Sequence, residues 1–143
     1  MERLLALKQV PLFATLSLDQ LEAVHQITHE ATYLGGEMIV REGDPGGELY
    51  LLLEGTVQAW KNHGTPRASC LNTITAISYF GEMAILDDEP RSASVVALDR
   101  ARLLSLDGRS LKELVHQMPE IAFEIFRVLT SRVRTAEKRL AER

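Results

Sequence analysis

The chain changes its hydrophobic rhythm twice. Leu4 to Val10 and Leu16 to Ile27 carry apolar residues at helical spacing, with Pro11 between them. Ser17, followed three residues later by Gln20, forms a capping box ahead of Leu21 and Val24 and predicts a helix start there. From residue 31 the pattern shortens. Ala31 to Leu34, Met38 to Arg41, Leu49 to Leu53, Val57 to Trp60, Ala68 to Ile74, Val95 to Leu98 and Ala101 to Leu106 are short strand-like runs. Gly35-Gly36, Gly43-Asp44-Pro45-Gly46-Gly47, Gly55 and Asn62-His63-Gly64 punctuate them as turns. Many short strands at this spacing predict a barrel or jelly roll. After Asp107-Gly108 the helical rhythm returns. Asp107 suits the N-cap of a helix over Ser110 to Met118, and Pro119 suits the first turn of a last helix reaching Arg143.

That last helix is about 37 Å long at 1.5 Å per residue. Ala122, Phe126, Leu129, Val133, Ala136 and Leu140 alternate spacings of four and three, which makes an a/d seam. Ile121, Ile125 and Val128 form a second apolar line beside it. One line can pack on the strands and leave the other for a second copy of the chain. The other reading is a single amphipathic helix lying on its own barrel, because the seam is under three heptads.

The chain has 143 residues, 45% apolar and 25% charged, which suits one globular domain with a real core. A net charge of −4 argues against a nucleic-acid surface, and the Arg- and Lys-rich stretch from Arg127 is interrupted by Glu137 and Glu142, as on a solvated helix face. No apolar run reaches membrane-spanning length, and the N-terminus lacks the long apolar core of a secretory signal. One cysteine, Cys70, cannot form an internal disulfide and points to a reducing, cytoplasmic setting. Its place in a strand-like run predicts a buried, inert thiol.

The chemistry concentrates in residues 80–97, Phe-Gly-Glu-Met-Ala-Ile-Leu-Asp-Asp-Glu-Pro-Arg-Ser-Ala-Ser-Val-Val-Ala. Gly81 lets the backbone approach a ligand closely. The free N–H groups of the helical turn after it, Met83 and Ala84 included, can face an anion. Arg91 supplies a forked permanent cation. Glu82 supplies an acceptor for a sugar-type hydroxyl. A carboxylate aimed into an anion pocket needs such a hydroxyl, or an Arg, to meet it. Together they predict a pocket for a small anion with a hydroxyl beside it.

The run Phe80-Gly81-Glu82-Met83-Ala84-Ile85-Leu86, then Pro90-Arg91-Ser92-Ala93-Ser94-Val95, resembles the phosphate-binding cassette of cyclic nucleotide-binding domains. These occur in catabolite-activator-type regulators, protein kinase A regulatory subunits and cyclic nucleotide-gated channels. Val10-Pro11-Leu12-Phe13, Arg41-Glu42-Gly43-Asp44 and Leu49 to Val57 extend the likeness over nearly the whole chain. One departure is Thr75-Ala76-Ile77-Ser78-Tyr79, where the family often has a Gly-rich turn. The resemblance implies a mainly β jelly-roll (double-stranded β-helix) barrel with N-terminal helices and two C-terminal helices. It implies one domain: a helical lead-in over 1–30, a β-roll over 31–107 and helices over 108–143.

It also implies that the ligand is a cyclic mononucleotide. Glu82 would take the ribose 2′-hydroxyl, and Arg91 with the N–H groups near Ala84, Ser92 and Ala93 would take the phosphate. Ser92 after the Arg leans to cAMP over cGMP. In relatives the last helix makes a homodimer or a lid and offers polar groups to the purine. Thr130, Ser131, Arg134 and Thr135 are the candidates here. The implied protein is a non-catalytic sensor that either acts alone or is the regulatory piece of something larger whose effector domain is absent from this chain.

Other features read more plainly. Asp87-Asp88-Glu89 is a solvated loop, since consecutive carboxylates do not share a face and no calcium-loop spacing accompanies them. His25, His29, His63 and His116 are scattered without metal-ligand spacing. Tyr50 and Trp60 read as core or barrel surface rather than base-stacking platforms. Two alternatives stay open: a degenerate jelly roll used for dimerisation or docking, and a cupin-type metalloenzyme, for which the His-x-His pair is missing.

Overall fold

The computed structural model describes residues 2–82 and 89–142. Three helical pieces come first: α1 (Glu2–Gln9), a 3-10 turn (Pro11–Phe13) and α2 (Leu18–Gln26). Ser17 Oγ accepts from the Gln20 N–H, and the Gln20 side chain accepts from the Ser17 N–H, so the capping box closes in both directions. Eight strands follow: β1 (His29–Tyr33), β2 (Met38–Val40), β3 (Glu48–Glu54), β4 (Thr56–Lys61), β5 (Ser69–Thr75), β6 (Ser78–Phe80), β7 (Ser94–Ala97) and β8 (Ala101–Asp107). Two helices close the chain, α3 (Gly108–Gln117) and α4 (Glu120–Ala141). Asp107 caps α3 by accepting from the Ser110 N–H at 2.9 Å.

The strands form two antiparallel four-stranded sheets, ordered β1-β8-β3-β6 and β2-β7-β4-β5. This is a jelly roll built as a sandwich. Among the described residues the two sheets do not join into the closed barrel that the strand spacing suggests. The near-continuous apolar run in β3 is explained by burial on both faces. Leu49, Leu51 and Leu53 pack with Leu104 and Leu106 of β8 against the helices, beside Leu7, Phe13, Leu21, Leu111 and Ile121. Leu52 points the other way, toward the second sheet, with Leu103, Val57, Val95 and Phe80. The period of two sorts each strand between these cores.

β5 is an edge strand, and its residues are mostly exposed. Cys70 is therefore exposed, not buried as its apolar neighbours suggested. α4 divides its apolar residues differently from the two lines read in the sequence. Ile121 is buried, and Val128 and Leu129 pack on the helical core. Phe123, Phe126, Val133 and Leu140 stay exposed. Among the described residues no helix is long and apolar enough to cross a membrane.

Candidate functional site

Arg91 sits just before β7, and four hydrogen bonds hold it in place. Its backbone N–H donates to Asp44 O at 2.9 Å, and its carbonyl accepts from the Gly43 N–H at 2.9 Å, tying it to the turn after β2. Its guanidinium donates from Nη1 to Gly81 O at 3.0 Å and from Nη2 to Glu48 O at 2.6 Å. The residue is 8% exposed. Its guanidinium carbon lies 5.8 Å from the centre of the Tyr50 ring, which stacks on Phe80 with centroids 5.1 Å apart. Burial and the neighbouring Glu48 push the Tyr50 hydroxyl up to about 12. No carboxylate neutralises the guanidinium among these contacts. Its partners are neutral carbonyls, so its positive charge remains available to an anion in the cavity.

Gly81 is the one position here that only glycine fits. Its φ is +93°, and an added Cβ would stand 2.7 Å from Arg91 Nη1 and 2.8 Å from Glu48 O. Glycine thus allows the strand end to close onto the guanidinium.

Glu82 follows, 1% exposed. A buried carboxylate requires a partner, and its partner is Arg132 of α4, whose Nη1 donates to Glu82 Oε1 at 2.5 Å. Arg132 itself is half-exposed. Behind this pair lies Tyr79, whose buried hydroxyl finds no hydrogen-bond partner among the described residues. Burial, and then the charge of Glu82, push that hydroxyl up to about 12.

Gly81, Glu82, Arg91, Ser92 and Ala93 line one cavity of about 530 Å³. Val40, Ala59, Leu71, Ile74, Phe80 and Val95 give it an apolar floor with the polar Asn72 beside them, and Ser131, Arg132, Thr135, Ala136 and Arg139 of α4 form its roof. The two side chains on which the sequence reading rests therefore face a shared space. Met83 and Ala84 lie outside the described residues. Of the four α4 candidates, Ser131 and Thr135 reach the cavity; Thr130 and Arg134 stand on another face, with Phe126, Leu129, Val133 and Glu137. The sequence reading passed over Arg132, Arg139, Leu71 and Asn72. The signal for the first two was in the chain: Arg132, Thr135 and Arg139 fall at i, i+3 and i+7, a polar stripe beside Ala136 of the apolar seam.

The fold and this cavity define a jelly roll whose cavity has a fixed cation at one place and a buried carboxylate at another. A family model for the cyclic nucleotide-binding domain matches residues 30–118. The cyclic AMP receptor protein of Thermus thermophilus is 31% identical over 134 residues, 94% of this chain and 62% of its own length. A CRP-like cAMP-activated global transcriptional regulator of Mycobacterium tuberculosis is 31% identical over 107 residues, 75% of this chain and 48% of its own length. The crystal structure of the Thermus thermophilus catabolite activator protein superposes with a TM-score of 0.84 at 30% identity, covering 92% of this chain and 62% of that one. The chain belongs to the cyclic nucleotide-binding domain family. That family is regulatory, not catalytic, which sets aside the metalloenzyme alternative. The chain spans about half to three-fifths of the length of these relatives.

Proposed function

We propose that this chain is a non-catalytic cytoplasmic sensor that binds a cyclic mononucleotide, cAMP in preference to cGMP. The observation that carries the reading is the shared cavity of Arg91 and Glu82. A cyclic phosphate would take the uncompensated charge of Arg91, with Ser92 and Ala93 at its edge and the N–H groups near Ala84 completing the contact. The ribose 2′-hydroxyl would donate to Glu82. Ser92, directly after the Arg, supports the cAMP preference.

The Glu82–Arg132 pair supports a relay through the C-terminal helices. The ribose hydroxyl and Arg132 address the same carboxylate, so ligand binding changes what holds α4 to the β-roll. A ligand acts this way only through a difference in affinity between two states, about 1–3 kcal/mol in typical couplings. The exposed stripe Phe123, Phe126, Val133 and Leu140 supports a homodimer through α4. An effector would then read the movement of the paired helices.

Titration of the purified chain with cAMP and cGMP by calorimetry tests the reading. Saturable binding of one nucleotide per chain is expected, with cAMP the tighter. Ligand at about 100 times its dissociation constant should add about 2.7 kcal/mol to the unfolding free energy. Absence of both heat and stabilisation with either nucleotide would leave the docking module as the function.

A further inference from the structure

Ser92 and Ala93 line the cavity beside Arg91, with only a hydroxyl and a methyl of their own to hold their backbone in place. Among the described residues, no main-chain hydrogen bond uses their N–H groups, which leaves two adjacent donors for an anion. The contacts that fix this short segment come from outside the cavity.

Lys61, the last residue of β4, donates from Nζ to Ser92 O at 3.0 Å and pairs with Glu42 Oε2 at 3.2 Å. Glu42, in the turn after β2, donates its backbone N–H to Oγ of the buried Ser94 at 2.9 Å. Its Oε1 accepts from the Asn62 N–H at 2.9 Å. These contacts close a loop that runs from Ser94 through Glu42 and Lys61 back to Ser92, with Ala93 spanned between. The Asn62 N–H, and then Lys61, hold the Glu42 carboxyl below the usual carboxylate range, so it stays ionised at neutral pH. Neither Glu42 nor Lys61 lines the cavity.

Lys61 is half-exposed and Glu42 partly so, and an ion pair in water adds little to folding stability. The weight of this one lies in the carbonyl it holds. A main-chain N–H grips an anion only when its direction is set, and setting it in the free protein removes that ordering cost from binding. Resting on the cyclic-nucleotide reading, we propose that Glu42 and Lys61 are positioning residues for the phosphate: they brace the Ser92–Ala93 main chain from behind and preset its N–H groups.

The test is calorimetry on the full chain, unmutated and as Lys61→Met, Glu42→Gln and the double variant. The ligands are cAMP and its two phosphorothioate analogues, in which sulfur replaces one or the other exocyclic oxygen of the cyclic phosphate. The free variants should melt within a few degrees of the unmutated chain, because the pair is exposed. Each single variant should bind cAMP about threefold to tenfold more weakly, the effect of one hydrogen bond of ordinary net worth. The double variant should lose no more than the weaker-binding single one, since both changes open the same brace. Sulfur is a poor acceptor, so the unmutated chain should separate the two analogues, and the variants should narrow that gap by about threefold. Unchanged cAMP affinity, single losses that multiply in the double variant, or a gap between the analogues that is absent or unaltered each overturns the proposal and leaves the sensor reading intact. Failure of the unmutated chain to bind cAMP overturns the sensor reading, and this proposal with it.

Discussion

Two of the arginines that line the cavity, Arg91 and Arg132, are held in opposite ways. Arg91 is buried, fixed by two main-chain carbonyls through its side chain and by two more hydrogen bonds through its backbone. Arg132 is half-exposed on a helix and holds a single carboxylate. Neutral carbonyls satisfy the geometry of Arg91 without cancelling its charge, so that wall is preorganised for an anion. Glu82 cancels the charge of Arg132, and on the proposed reading the ribose hydroxyl would compete for the same carboxylate. The cavity thus has one fixed wall on the β-roll and one exchangeable wall on α4. A sensor needs both: a rigid grip to bind, and a contact that binding alters.

The sharpest break in this comparison is Arg91→Ala. It should weaken cyclic-nucleotide binding by roughly 2–5 kcal/mol, the cost of removing one partner of a buried charge contact. It also strands the carbonyls of Gly81 and Glu48, so the free protein should unfold more readily in urea. Gly81→Ala attacks the same wall through the backbone. A Cβ at φ +93°, within 2.8 Å of two neighbouring atoms, should destabilise the free chain by about 2 kcal/mol in the same assay. A wild-type midpoint in that variant would show that the wall is less rigid than described.

Arg132→Ala probes the other wall. It leaves Glu82 buried without its counter-charge, but Arg132 is half in water, so the expected loss is about 1 kcal/mol rather than that of a fully buried pair. Saturating cAMP should return part of that loss, because its hydroxyl gives Glu82 a donor. If cAMP stabilised the variant less than the wild type, the ribose hydroxyl would not be Glu82's replacement partner.

The smallest effect is alkaline. Tyr50 lies under Arg91 and Tyr79 beside Glu82, and both are raised to about 12 from an ordinary value of 10. The folded state thus favours the protonated phenols. Their contribution is complete below pH 10 and is lost as pH rises from 10 toward 12. Stability should fall across that window, and Tyr79→Phe should flatten part of the fall.

The fixed wall was legible in the sequence, and the exchangeable wall largely was not. Gly81, Glu82 and Arg91 lie in one contiguous run whose residue types state their chemistry, and the helix caps at Ser17 and Asp107 are equally local. Arg132 meets Glu82 from 50 residues away. Nothing local distinguishes it from the other cations of α4; only its stripe with Thr135, Ala136 and Arg139 hinted at a shared face. Cys70 was misplaced for a related reason. Its run looks like any interior strand, and edge position follows from sheet order, which periodicity does not carry. β6, at three residues, was too short to give an alternating pattern of its own. The division of α4 was half legible: the apolar lines were visible, but which residues the core would claim depended on where the helix docks.

The most direct measurement is a calorimetric titration of cAMP into the unmutated chain and into Arg91→Ala, side by side. The account expects one-to-one binding to the unmutated chain and a loss of about 30-fold or more in the variant, the lower end of the range given above. Equal affinity in the two proteins would contradict it.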